Sequence, residues 1–348
     1  MFLEKYGFDK AELDSYDDMP ARVIAVHKER YKLITENGEC YGRLKTKEYY
    51  VEGDDFPTAG DFVTIKYNPS GDSMIVKTLP RRTVFMRKDP NPNKAEQAVA
   101  ANFDYVFIMQ SLNHDFNVKR LERYLTLAWQ SGAQPVIVLT KADLIDDILD
   151  KVREAELYAL GAPVHAVSSQ SGYGLGDLEC YFLPGKTVVF LGSSGVGKSS
   201  LVNTLAGEEI MATNSIRQDD SKGRHTTTHR ELIMLNSGAM IIDTPGMRSL
   251  GMWDVTEGLG SAFADVEQFL GCCKFSDCRH ESEPGCAIKM AIESGELSTD
   301  RWQSYLALKK EARYSDDKEG FLRDKKEWHK ALSKGTKQLK KTNPKHRS

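Results

Sequence analysis

The stretch GSSGVGKSS, Gly192 to Ser200, restricts the fold more than any other part of the chain. It matches G-x-x-x-x-G-K-[ST], with the apolar KTVVFL before it and LVNTLA after it, so the loop joins a buried strand to a helix. Glycines let the backbone approach a phosphate closely, and the helix start adds its positive end. All nine residues, Gly192, Ser193, Ser194, Gly195, Val196, Gly197, Lys198, Ser199 and Ser200, are expected at a nucleotide. Lys198 would reach the β- and γ-phosphate oxygens and Ser199 would ligate Mg²⁺. Such a loop belongs to a mainly parallel sheet covered by helices on both faces.

Two further motifs name the nucleotide. IIDTPG, residues 241–246, puts Asp243 at the end of a buried strand, where it can hold the magnesium shell through water, and Gly246 where its amide can sense a γ-phosphate. LTKADL, residues 139–144, supplies Thr140, Lys141, Ala142 and Asp143. In this [NT]-K-x-D pattern the carboxylate of Asp143 accepts from the ring N–H and amine of guanine, and Lys141 packs along the base. Thr140 stands where many GTPases carry Asn. AVSSQSG, residues 166–172, resembles the second guanine loop, with amides near Ser168 and Ser169 facing the base. The base-reading motifs precede the phosphate loop in the chain. The parts are those of a Ras-like GTPase in circularly permuted order, which a sheet with neighbouring termini tolerates.

A chain of 348 residues is too long for one core. Residues 21–87 carry five short alternating strand patterns (ARVIAV, YKLITEN, ECYGRLK, GDFVTIKY and SMIVKTL) punctuated by Gly, Asn, Asp and Pro. They predict a small closed barrel, an OB-fold or an SH3-like barrel. Tyr31, Tyr41 and Phe62 are its aromatics for stacking RNA bases. From 104 onward, buried-strand runs alternate with helical ones, and Asn117 is a suitable N-cap for the helix that ends near Gly132. The chain after 251 reads as helical. The expected architecture is multidomain α/β: an acidic leader and OB-fold barrel over 1–87, a circularly permuted P-loop GTPase domain over 88–250, and a helical zinc-binding domain with a basic tail over 251–348.

The net charge of −3 conceals that tail: residues 321–348 hold ten Lys/Arg against two Asp/Glu, as a nucleic-acid contact would. No run of 18 apolar residues occurs, and the opening residues lack the pattern of a secretion signal. Four of the six cysteines crowd between Cys272 and Cys286. Cys273-x₄-Cys278-x-His280-x₅-Cys286 offers three thiolates and an imidazole to a structural Zn²⁺, with Cys272 as a substitute for Cys273. A reducing cytoplasm suits such a set.

Together with GRHTTTHREL, residues 223–232, these motifs resemble the RsgA (YjeQ) family of circularly permuted GTPases that depend on the small ribosomal subunit. The resemblance runs from ARVIAV to the zinc segment. It implies an N-terminal OB-fold, GTP hydrolysis stimulated by the subunit, and a role in its late maturation, by a cytoplasmic monomer that contacts rRNA. Met247 follows the D-x-x-G motif and cannot orient water, so the resemblance points to His225 as the water-positioning residue. One of Thr226 to Thr228, with Thr227 favoured, would ligate Mg²⁺. The alternative is a nucleotide-gated RNA-binding module in which hydrolysis is incidental. An ATP-dependent kinase is disfavoured by Asp143 and Asp243.

Overall fold

A computed structural model of the chain describes residues 2–9, 18–27, 30–44, 56–87, 97–113, 116–211, 231–243, 259–260, 262–281 and 283–316. Strands β1 (Met19–His27), β2 (Arg30–Thr35), β3 (Gly38–Leu44), β4 (Phe62–Lys66) and β5 (Ser73–Thr78) come first. Neighbours pair antiparallel except β3 and β5, which run parallel, and β4 returns to β1. The order β1-β2-β3-β5-β4 thus closes on itself, giving the five-stranded barrel of an OB-fold. Every second residue of these strands points inward. Ala21, Val23, Tyr31, Leu33, Val63, Ile65 and Ile75 fill the interior.

That alternation overturns part of the expected RNA-stacking set. Tyr31 is 3% exposed inside the barrel, and Phe62, at 6%, lies under the Arg22 guanidinium. Neither can stack a base. Only Tyr41, at 38%, faces solvent.

A separate hairpin, β6 (Val84–Arg87) with β7 (Gln97–Ala101), leads to the second sheet. There, β8 (Tyr105–Ser111), α1 (Val118–Gln130), β9 (Gln134–Thr140), α2 (Ile148–Ala159), β10 (Val164–Ala166), β11 (Thr187–Gly192), α3 (Lys198–Ala206), β12 (Glu231–Met234) and β13 (Met240–Asp243) follow in turn. The strand order is β10-β9-β8-β11-β13-β12, parallel except for β12, which runs antiparallel to β13. Asn117 caps α1 through its side chain, accepting from the Arg120 amide.

Alternation divides the continuous apolar strands between two cores. Val106, Ile108, Ile137, Leu139, Val189, Leu191 and Ile242 face one side with α1 and α2. Phe107, Met109, Val136, Val138, Val188, Phe190 and Ile241 face the other with α3. The first core extends in both directions along the chain. It takes in Leu3, Phe8, Ile24 and Phe62 from the N-terminal part, and Phe263, Cys286, Ile288, Trp302 and Tyr305 from the C-terminal part. The leader is therefore anchored by apolar burial, and the amides of Phe2 and Leu3 also donate to Glu36.

Barrel and GTPase sheet are also joined by backbone. β1 pairs with β12 through Ala25 and Glu231, giving one eleven-stranded sheet. Beside this seam Gly60 adopts φ 93°, and a Cβ there would lie 2.0 Å from the carbonyl of Ala101. Only glycine allows that approach. The C-terminal part is helical: α4 (Ala264–Glu267), α5 (Ala287–Ser294) and α6 (Thr299–Asp316). No helix among the described residues is long and apolar enough to cross a membrane.

Candidate nucleotide and metal sites

The carboxyl ends of β11, β13, β9 and β10 bring residues of four sequence motifs to one edge of the parallel sheet, the usual place for a ligand in such folds. Gly192 ends β11; a Cβ there would lie 2.9 Å from the Met109 carbonyl, so the strand sits tightly on β8. Gly195 (φ 72°) and Gly197 (φ 100°) are left-handed, and α3 starts at Lys198. Loop and helix start together form an anion-binding concavity. Lys198 Nζ lies 2.5 Å from Asp243 Oδ1 at the end of β13. The cation expected at phosphate and the carboxylate expected to hold the magnesium shell thus meet at one point. Ser199 and Ser200 follow in the first turn of α3.

The guanine motif occupies the turn after β9. Lys141 is left-handed (φ 61°), and Ala142 to Leu144 form a 3₁₀ turn tied to the next strand by Ala142 N–H donating to Val167 O, 3.1 Å. Ser168 Oγ donates to Asp143 Oδ1 at 2.5 Å and accepts from the amides of Gln170 and Ser171. The Ser168 amide donates to Tyr173 O, 3.0 Å, while its hydroxyl holds Asp143, the residue expected to read the base. Lys141 Nζ and Thr140 Oγ1 reach the phosphate loop, donating to Gly195 O (2.7 Å) and Val196 O (2.5 Å). His225 and Thr226 to Thr228 of the first switch, and Gly246 and Met247 after Asp243, lie outside the described residues, as does the basic tail from 317.

Cys273 Sγ, Cys278 Sγ, His280 Nδ1 and Cys286 Sγ all lie within 4.8 Å of one another. Cys273 Sγ to Cys286 Sγ is 3.9 Å, and His280 Nδ1 is 3.4, 3.7 and 3.4 Å from Cys273, Cys278 and Cys286. A zinc tetrahedron with Zn–S of about 2.3 Å and Zn–N of about 2.0 Å has edges of roughly 3.5–3.8 Å, so the donor set fits a four-coordinate ion. Cys272 is exposed, with its Sγ toward Gln268 O, leaving Cys273 as the inward member of the adjacent pair. Cys286 precedes α5, whose positive end suits a thiolate, and Ala287 N–H donates to Cys273 Sγ at 3.3 Å.

What sequence reading missed is the support of this cluster. Trp302 of α6 meets the His280 ring edge-on at 5.5 Å and stacks on Tyr305, whose hydroxyl donates to Glu267. Burial and that carboxylate push the Tyr305 phenol well above its ordinary value. Beside Trp302, Arg301 donates to Glu122 of α1, to Asp265 and to Ala262 O, and lies over the Phe263 ring at 3.9 Å. The Cys₃His cluster is thereby fastened to the GTPase unit.

A family profile described as RsgA GTPase matches residues 78–253. A second profile, for ABC transporters, matches residues 175–340. That span includes the phosphate loop, which many nucleotide hydrolases share, but excludes Thr140 to Asp143. The small ribosomal subunit biogenesis GTPase RsgA 1 of Listeria monocytogenes is 45% identical over 351 residues, covering 99% of this chain and 100% of the relative. RsgA 2 of Lactiplantibacillus plantarum is 46% identical over 295 residues, covering 84% of this chain and 83% of the relative. Among solved structures, YjeQ from Thermotoga maritima matches with a TM-score of 0.63 at 28% identity, over 83% of this chain and 96% of that one. YloQ, described as a circularly permuted GTPase, matches with a TM-score of 0.59 at 27% identity, over 84% and 94%. A chain that follows such relatives from end to end, and places its guanine motif ahead of its phosphate loop on one sheet edge, belongs to the RsgA family of circularly permuted GTPases.

Proposed function

We propose that this GTPase acts in biogenesis of the small ribosomal subunit, with hydrolysis stimulated by the subunit and used to time release. The observation that carries the reading is that the match to the Listeria relative, named for that process, spans 99% of the chain, barrel and cysteine cluster included. In this reading the barrel over 1–87 and the zinc-binding part with its basic tail over 251–348 contact subunit rRNA on either side of the GTPase domain, 88–250. The protein works as a monomer in the cytoplasm.

GTP is held by Gly192 to Ser200 at its phosphates and by Thr140 to Asp143 with Ser168 and Ser169 at its base. The supporting geometry is the left-handed pair Gly195 and Gly197 and the ion pair Lys198–Asp243. Ser199 and Thr227 ligate Mg²⁺, Asp243 holds its water shell, and Gly246 senses the γ-phosphate. Mg²⁺ when bound neutralises charge on the phosphates. His225 positions the attacking water, a task the thioether of Met247 cannot perform. Cys273, Cys278, His280 and Cys286 hold a structural Zn²⁺.

The test is GTP turnover with and without purified small subunits. Turnover should rise with subunit concentration and saturate. A flat response would leave a nucleotide-gated RNA-binding module. His225→Ala, assayed in parallel, should keep nucleotide affinity and lose on the order of 10²-fold in single-turnover hydrolysis.

A further inference from the structure

The outer face of the barrel carries an acid where a nucleic-acid surface should avoid one. Tyr31 and Leu33 of β2 point into the interior, so alternation turns Arg30 and Lys32 outward. On β3, Tyr41 and Arg43 are exposed beside them. Asp72, just before β5, reaches both arginines. Its Oδ1 accepts from Arg30 Nε at 3.1 Å and Nη2 at 2.7 Å, and its Oδ2 from Arg43 Nε at 2.6 Å. The Arg30 guanidinium also lies over the Tyr41 ring, 3.8 Å from its centre.

Ion pairs this exposed add little to stability. What the carboxylate does is restrict two long side chains that would otherwise sample many rotamers. Hydrogen bonds from Arg30 and then Arg43 hold the Asp72 carboxyl below its ordinary range, so it stays charged. A guanidinium has five N–H donors. Among the described residues no acceptor other than Asp72 meets either one, so both keep donors for a ligand. Tyr41 cannot take a base on the side that Arg30 covers. The guanidinium plane above it can, because unpaired RNA bases stack on arginine as they do on aromatic rings.

We infer that these four residues form one single-stranded RNA site: Arg30, backed by Tyr41, stacks an unpaired base, Arg43 takes a phosphate, and Asp72 is the positioning residue that fixes both. The inference rests on the reading that the barrel contacts rRNA. Barrels of this type take oligonucleotides on the β2–β3 face in general. The particular feature here is an acid that weakens attraction for phosphate and supplies preorganisation in return.

The test measures binding of the full chain, at one fixed salt concentration, to a ten-residue oligouridylate and to an abasic ribose–phosphate chain of equal length. Wild type should prefer oligouridylate. Asp72→Ala removes a negative charge, which by simple attraction should tighten binding. It should instead weaken oligouridylate binding about fivefold or more, the cost of ordering two rotamer-rich side chains on contact. Arg30→Lys keeps the charge and loses the plane, so it should cost about fivefold or more on oligouridylate, the range for one stacked base, and leave the abasic chain unaffected. Tighter or unchanged binding by Asp72→Ala would overturn the inference, as would wild-type affinity in Arg30→Lys. A wild type that binds oligouridylate no better than the abasic chain or polyglutamate would reduce the site to a general anion patch and overturn it too. The broader reading stands or falls separately, on turnover with small subunits.

Discussion

Two buried arginines hold the flanking parts to the GTPase sheet, and they are solvated in opposite ways. Arg22 of β1, 1% exposed, donates to backbone carbonyls of Gly60, Asn102 and Tyr6 and to the Thr187 hydroxyl, with Met240 Sδ beside it and the Phe62 ring at 4.9 Å. These hydrogen-bond acceptors carry no formal charge, and burial pulls the guanidinium down to about 9. It remains a cation at neutral pH. Arg301 of α6 meets two carboxylates, Glu122 and Asp265, besides its one carbonyl. The first seam is also backed by β1–β12 pairing. Across the second, side chains link α6 to α1, Arg301 donating to Glu122. A charge matched by dipoles and a charge matched by charges look equally buried, yet they fail differently when cut.

Removing the proposed zinc should have the largest effect and separate the two seams most cleanly. Chelation or Cys286→Ser should strip the Cys273, Cys278, His280 and Cys286 set of an ion whose binding to zinc-finger peptides is worth about 10–16 kcal/mol. Residues 262–316 should lose hydrogen-exchange protection while the barrel and sheet retain theirs. Equal loss at both seams would mean the C-terminal part is no separate unit. Next, Arg301→Met leaves Glu122, 1% exposed, without its counter-ion, at about 3–5 kcal/mol. Adding Glu122→Met should recover most of that loss in denaturant titrations, because an apolar pair can replace a buried ion pair. Absence of recovery would show that shape, not charge, makes the seam. Arg22→Met should cost least, about 2–3 kcal/mol. Orphaned carbonyls cost about 1–3 kcal/mol each, while the burden of a buried charge is lifted. Here no second side-chain substitution should rescue, since the carbonyls belong to the backbone. A rescuing substitution would put Arg22 in the same class as Arg301.

The phosphate loop, T-K-A-D and the cysteine cluster were legible as local features because each gathers its residues within one short stretch, 14 residues at most, where spacing alone constrains geometry. Barrel closure was legible only in part: turn residues predicted five strands, but the parallel β3–β5 contact that distinguishes the OB-fold needs tertiary pairing. Tyr31 was misread although the signal was present. It alternates with Leu33 and Thr35, the inward positions of β2. Both arginines were invisible for another reason: Arg22 meets partners 16 to 218 residues away, and Arg301 meets Glu122 across 179. No local pattern marks one lysine or arginine as buried among the 47 in the chain.

The span of Arg22 also has a meaning in time. The barrel's residues emerge early from a translating ribosome, with an interior core of their own. Thr187 and Met240, which complete the surroundings of Arg22, follow 165 and 218 residues later. At about 5–20 residues per second the wait for Met240 is roughly 10–45 s. For that interval the newborn barrel carries a cationic, water-facing notch that the finished protein hides. Closing it requires the GTPase sheet to form against a partner already made, so strands synthesised later complete a domain synthesised earlier.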